Sequence, residues 1–155
     1  DVCSSDLLAE LMGKAGRAYD FTSIDLSRML EDTGEKAQAA ATIVETVTGE
    51  MLSAEDAVRV RGLARSIVAR SVRLIAATFV GTLWQIAGSG EIRRQHIAVD
   101  GAVYEKMPLV KENLTRAFSE LLGADAPKVD TILAVGGSGL GAALAAAMTE
   151  RAEQR

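Results

Sequence analysis

The chain has 155 residues, 48% of them hydrophobic and 25% charged, which suits one soluble globular domain with a sizeable core. A net charge of -4 and a pI near 5.1 supply no footprint for nucleic acid or an anionic membrane surface, so neither is expected as a partner. The lone histidine and lone cysteine, far apart in sequence, argue against a zinc site, a Cys–His nucleophile and an internal disulfide.

Residues 1–7, Asp-Val-Cys-Ser-Ser-Asp-Leu, back-translate to the end of a common sequencing-library adapter. They are expected to be an artefact, cysteine included, and are set aside from fold reasoning. The natural chain is then expected to continue upstream, leaving 8–155 as a C-terminal piece. No secretory signal is visible, which makes the cytoplasm the expected compartment.

Leu8–Met12 reads as a short helical remnant broken at Gly13 and Gly16. Ser23 is placed as the N-cap of a helix with Leu26, Met29 and Leu30 on one face, ended by Asp32-Thr33-Gly34. A second helix is expected over Glu35–Val47, with Ile43, Val44 and Val47 inward and Gly49 closing it. Ser53-Ala-Glu-Asp56 is a capping signal for a long third helix, Ala54 to Ala87, which would span about 50 Å.

That helix changes character along its length. Arg59, Arg61, Arg65, Arg70 and Arg73 alternate with apolar residues in its first part and read as a solvated face rather than a phosphate-binding row. From Leu74 to Ile86 it is apolar nearly all round, and burial on every side is expected there. The uncharged run Leu74–Ala87 is too short to span a bilayer.

After Gly88-Ser-Gly90, Gln95–Val99 reads as a strand, Asp100-Gly101 as a tight turn and Ala102–Tyr104 as a second short strand, together a β-hairpin. In that reading Asp100 is a turn former before it is a catalytic acid, and His96 is structural. Pro108 opens an amphipathic helix to Leu122, with Leu109, Val110, Leu114, Phe118 and Leu121 as its buried stripe. Thr131–Val135 is a short buried strand, followed by a glycine-rich turn and an alanine-rich helix, Ala142–Ala152.

Strand, glycine turn and helix start are how α/β folds present backbone N–H groups to a nucleotide or phosphate. A Walker A loop is excluded, because Ala142 and Ala143 stand where Lys and Ser/Thr are required after Gly136 and Gly141. Gly137-x-Gly139-x-x-Ala142 satisfies a relaxed dinucleotide fingerprint. The acidic partner about 20 residues downstream falls past Arg155, which leaves a Rossmann dehydrogenase a distant reading. The plain alternative is that the glycines let a helix pack tightly on a sheet.

Three segments resemble the C-terminal part of the hexokinase family. They are Phe21–Glu35, His96-Ile-Ala-Val-Asp-Gly-Ala-Val-Tyr-Glu-Lys-Met-Pro108, and Gly137-Ser-Gly-Leu-Gly-Ala-Ala-Leu144. The family has Val-Asp-Gly-Ser/Thr-(Leu/Val)-Tyr followed by Pro, and about thirty residues later Gly-Ser-Gly-(Lys/Arg/Val)-Gly-Ala-Ala-Leu. The order and spacing match from Leu8 onward.

The resemblance implies an α/β fold, part of an RNase H-like, actin-like ATPase large domain with an incomplete sheet. It implies transfer of the γ-phosphoryl of ATP, with Mg2+, to the 6-hydroxyl of a hexose such as glucose, the first step of glycolysis. Ser23 and Ser27 match hydroxyl positions contacting the nucleotide, while Gly101, Ala102, Lys106, Gly137, Ser138 and Gly139 border the adenosine. Ala102 replaces the usual Ser/Thr, and Leu140 stands where Lys or Arg is frequent. The family's catalytic aspartate, sugar-binding residues and phosphate hairpins fall upstream, so this chain is expected to be inactive by itself. Another actin-like sugar kinase and a non-catalytic, nucleotide-binding hexokinase-like protein are the alternatives.

Overall fold

The computed structural model describes residues 20–137 and 139–145. The adapter-like residues 1–7, the helix expected over Leu8–Met12, Ser138, and the part of the helix expected over Ala142–Ala152 that lies past 145 fall outside the described residues. The chain divides into two compact units, Asp1–Ser71 and Val72–Arg155, and the division falls inside the long helix.

In the first unit, α1 runs over Ser23–Glu31, α2 over Gln38–Thr48, and α3 begins at Ala54. The N-cap of α1 is Thr22 rather than Ser23. The Thr22 hydroxyl accepts from the Asp25 N–H at 3.3 Å, and the Asp25 carboxylate accepts from the Thr22 N–H at 2.9 Å, a reciprocal box that a Thr-x-x-Asp spacing permits and a cap at Ser23 does not. α2 starts three residues later than expected, because Ala37 holds the left-handed conformation (φ 47°) that turns the chain into the helix. Ser53 caps α3 as expected, its hydroxyl accepting from the Asp56 N–H at 3.1 Å. Met29, Leu30, Ala40, Ile43, Val44, Ala57, Ala64 and Val68 form the core of this unit.

One arginine of the row joins that core. Arg61, only 8% exposed, donates from Nη1 to the Asp32 carbonyl at 2.7 Å and the Gly34 carbonyl at 2.6 Å. The Asp32 carboxylate accepts from the N–H groups of Gly34 and Ala39, both at 2.8 Å. The loop between α1 and α2 thus has its carbonyls satisfied by a cation and its amides by an anion. Those backbone hydrogen bonds, Ala39 first and Gly34 next, with Arg61 nearby, hold the Asp32 carboxyl below the usual range.

In the second unit, α3 continues to Ala87 and is followed by β1 (Gln95–Val99), α4 (Ala102–Lys106) and α5 (Val110–Leu122). A 3-10 turn, Gly123–Lys128, leads into β2 (Val129–Leu133), and the last helix occupies 137 and 139–145. β1 and β2 pair in parallel, Gln95 against Val129 through Val99 against Leu133, so the connection between them is a crossover carrying α4 and α5. Val72, Ala76, Val80, Leu83, Tyr104, Leu114 and Phe118 build this core, with the Phe79 and Phe118 rings 6.4 Å apart. Parallel sheets are ordinarily covered on both faces, whereas Ile132 of β2 is 50% exposed. The described residues are a mixed helix–strand arrangement with an incomplete sheet.

Three expectations need correction. The hairpin does not form: Ala102–Lys106 is helical, and β1 takes β2 as its partner. A two-residue turn of the favoured kind needs left-handed φ and ψ at both positions, but Gly101 sits at φ 135°, ψ 148°. The final strand is Val129–Leu133, two residues earlier than expected, since Val135 and Gly136 already belong to the turn. Finally, α3 is not buried all round. Val72, Ala76, Val80 and Leu83 make one buried stripe, while Leu74, Ile75, Trp84 and Ile86 are exposed. Over an 18-residue window α3 is also long and apolar enough to cross a membrane by length and composition, with 28% of that window buried, so the uncharged run alone understates its reach.

Candidate nucleotide-binding loops

The candidate site lies where both strands of the second unit end. β1 releases the chain at Val99 into Asp100-Gly101, and α4 begins at Ala102. β2 stops at Leu133, but one further ladder bond, Ala134 N–H to the Val99 carbonyl at 2.9 Å, keeps the two chains together past the strand. Gly136, at φ 69°, then reverses the chain, and the Leu140 N–H closes the first helical turn onto the Gly136 carbonyl at 3.1 Å. That positive φ is why a glycine stands at 136.

These two loops touch. A Cβ at Gly137 would lie 3.4 Å from Ala134 Cβ and 3.7 Å from a carboxylate oxygen of Asp100. Among the described residues, a Cβ at Gly101, Gly139 or Gly141 would meet nothing within 4 Å beyond its chain neighbours and own helix. In an α/β sheet, ligands bind outside the carboxyl ends of the strands, and a helix start following a glycine turn offers backbone N–H groups to negative charge. A site at this place would act through the helix start on negatively charged oxygens.

The sequence-derived site residues fall in two groups. Gly101, Ala102, Lys106, Gly137 and Gly139 lie in the second unit, Gly101 on the first loop and Gly137 and Gly139 in the first turn of the helix that follows the second. Ala102 is the exposed first residue of α4 and brings a methyl where a hydroxyl would add a donor; Lys106 is its exposed last residue. Ser138 lies outside the described residues. Ser23 and Ser27 lie in the first unit, on α1. Ser23 is exposed, and the Ser27 hydroxyl donates to the Glu31 carboxylate at 3.1 Å.

Two features escaped the sequence reading. His96 and Asp130, paired in the strand register, bring Nδ1 and Oδ1 to 2.5 Å; an ionised carboxylate can only accept, so the ring nitrogen donates. Both side chains are more than half exposed, which keeps His96 a surface partner of Asp130 rather than a member of the loop site. The second is Tyr104, buried, whose hydroxyl donates to Thr131 Oγ1 at 2.8 Å. No spacing rule links a helix residue to a strand residue 27 positions later, so only the crossover topology exposes that contact.

Away from the loops, a half-open cavity of about 870 Å³ adjoins the start of β1, between the end of α3 and Ile92, Arg93, Arg94 and Lys128. It lies at the opposite end of the strand from Gly101 and holds none of the expected site residues. Among the described residues no group of three or more His, Cys, Asp and Glu side chains is placed to hold a metal ion.

The family model described as hexokinase matches residues 2–148. Hexokinase-1 of Oryza sativa subsp. japonica is 37% identical over 152 residues, covering 92% of this chain and 30% of the relative. Hexokinase-7 of the same plant is 45% identical over 84 residues, 52% of this chain and 18% of the relative. Hexokinase-1 of Schizosaccharomyces pombe is 32% identical over 124 residues, 79% of this chain and 25% of the relative. The chain thus spans less than a third of the length of these relatives. Matched by the family model over nearly its whole length, this chain belongs to the hexokinase family.

Proposed function

We propose that this chain is the nucleotide-side segment of an ATP-dependent hexose kinase with the actin-like ATPase fold. The whole protein would transfer the γ-phosphoryl group of ATP to the 6-hydroxyl of glucose or a similar hexose. The observation that supports this reading is the meeting of two loops, Asp100–Ala102 and the turn at Gly136–Gly137, at the carboxyl ends of parallel strands in a hexokinase-family chain. In this reading Gly101, Ala102, Lys106, Gly137, Ser138 and Gly139 border the adenosine, and Ser23 and Ser27 add hydroxyls. When bound, MgATP supplies the phosphoryl group.

Phosphoryl transfer depends on positioning and on neutralising charge at the transferring group. Nucleotide-side loops do neither alone, and in this reading the catalytic base belongs to another segment of the whole protein. The chain by itself is therefore expected to bind nucleotide and to turn over nothing. Titration with a fluorescent ATP analogue, displaced by unlabelled ATP, checks the first half. A coupled glucose phosphorylation assay checks the second, and turnover above background would overturn it. A cytoplasmic location fits the composition and is testable by fractionating the source cells.

Ala102 gives the non-catalytic alternative its one concrete support, because the loop lacks a hydroxyl worth roughly 0.5–1.5 kcal/mol of net hydrogen bonding. Ala102→Ser tests whether the loop meets nucleotide at all: a nucleotide loop, catalytic or not, gains affinity from the restored hydroxyl, whereas a loop serving a different partner gains none.

A further inference from the structure

α4 is five residues long, far below the length at which a helix holds itself together in water. It follows Gly101, whose φ of 135° no other residue type tolerates well. Among the described contacts, its anchor is Tyr104. That side chain is 7% exposed, and its hydroxyl reaches Thr131 Oγ1 at 2.8 Å and the Thr131 carbonyl at 3.3 Å. Lys111 Nζ of α5 stands 5.2 Å from the centre of the ring. Thr131 lies in the middle of β2, two residues from Leu133 and on the same face as Val129. The hydroxyl therefore ties the first turn of α4 to the strand that leads directly into the glycine turn.

We propose that Tyr104 is a positioning residue for the nucleotide loops: through Thr131 it fixes Gly101–Ala102 relative to Gly136–Gly137 without touching the ligand. This rests on the nucleotide-binding reading above. Losing the hydroxyl leaves the ring, its burial and the Lys111 contact in place, but frees α4 to move against β2. The loops then spend part of their time apart, and apparent affinity falls with the competent fraction.

The test uses Tyr104→Phe, Thr131→Val and Thr131→Ser in the full chain, with two readouts. Amide exchange at Glu105 and Met107, which bond the Gly101 and Val103 carbonyls, reports whether α4 stays closed. Titration with a fluorescent ATP analogue reports loop geometry, at a temperature where every variant gives the wild-type far-ultraviolet spectrum. The expected result is about tenfold faster exchange at those two amides and five- to tenfold weaker binding for Tyr104→Phe and Thr131→Val. The double variant should be no worse than either single one, and Thr131→Ser should behave as wild type. Wild-type-like affinity in both Tyr104→Phe and Thr131→Val overturns the proposal, even if exchange quickens. Absence of analogue binding in the wild type instead overturns the nucleotide reading itself, and the positioning role falls with it.

Discussion

Replacing Arg61 with methionine keeps most of the apolar stem and deletes the guanidinium. The side chain is 10% exposed, so solvent cannot replace what is lost. Two carbonyls, of Asp32 and Gly34, lose a charged donor at 2.7 and 2.6 Å. A hydrogen bond to a charged group contributes about 1.5–3 kcal/mol net, and two bonds from one nitrogen add incompletely, which gives roughly 2–4 kcal/mol. The Asp32 carboxylate, 3.9 Å from the same nitrogen, loses its counter-charge as well. Urea denaturation followed by circular dichroism measures the difference, with Arg59→Met as the control. Arg59 pairs with Glu55 and Asp56 on an exposed helix surface, where such pairs contribute about 0.2–1 kcal/mol. If Arg61→Met costs no more than Arg59→Met, the argument that Arg61 anchors the α1–α2 loop is wrong.

Other consequences can be measured on the same chain. The Asp32 carboxyl titrates below its ordinary value near 3.8, so its contribution to stability is complete above that value and disappears as pH falls through the lower, folded pKa. Asp32→Asn should flatten that acid limb of the stability profile, and an unchanged limb would assign it to other groups. Phe118→Ala, at a position 4% exposed and facing Phe79, should cost about 3–5 kcal/mol in thermal or urea unfolding. Thr22→Ala should cost about 1 kcal/mol in urea unfolding by removing the hydroxyl that accepts from the Asp25 N–H and donates to the Asp25 carboxylate, while the bond from the Thr22 backbone N–H remains.

Helix positions were legible in the sequence where capping chemistry is local. Ser53 and Asp56 mark the start of α3, and Val110, Leu114 and Phe118 carry the stripe that α5 buries. Pro108 did not open α5, because Leu109 at φ 66° turns the chain first and the helix begins at Val110. The Asp100-Gly101 dipeptide misled for a different reason. Its turn signal is real, but whether a strand or a helix follows depends on the partner of β1, and that partner lies 34 residues away. The same limit hid the His96–Asp130 pair and the Tyr104–Thr131 bond, both products of strand register. Arg61 was read as one of a solvated row, since periodicity cannot distinguish which member of a charged stripe meets unsatisfied carbonyls. The glycine turn was legible as a turn because glycine at 136 answers a demand for positive φ.

The most direct test of the account is the binding of a fluorescent ATP analogue to wild type and to Gly139→Val, beside their urea unfolding curves. Among the described residues, a Cβ at Gly139 would meet nothing within 4 Å beyond its own helix and chain neighbours, so the valine should leave stability close to that of wild type. It would instead project into the space that the nucleotide is proposed to fill. The account predicts saturable, ATP-displaceable binding by wild type and at least a tenfold loss in Gly139→Val with the unfolding midpoint unchanged. Equal affinity in the two proteins, or no binding in either, would contradict it.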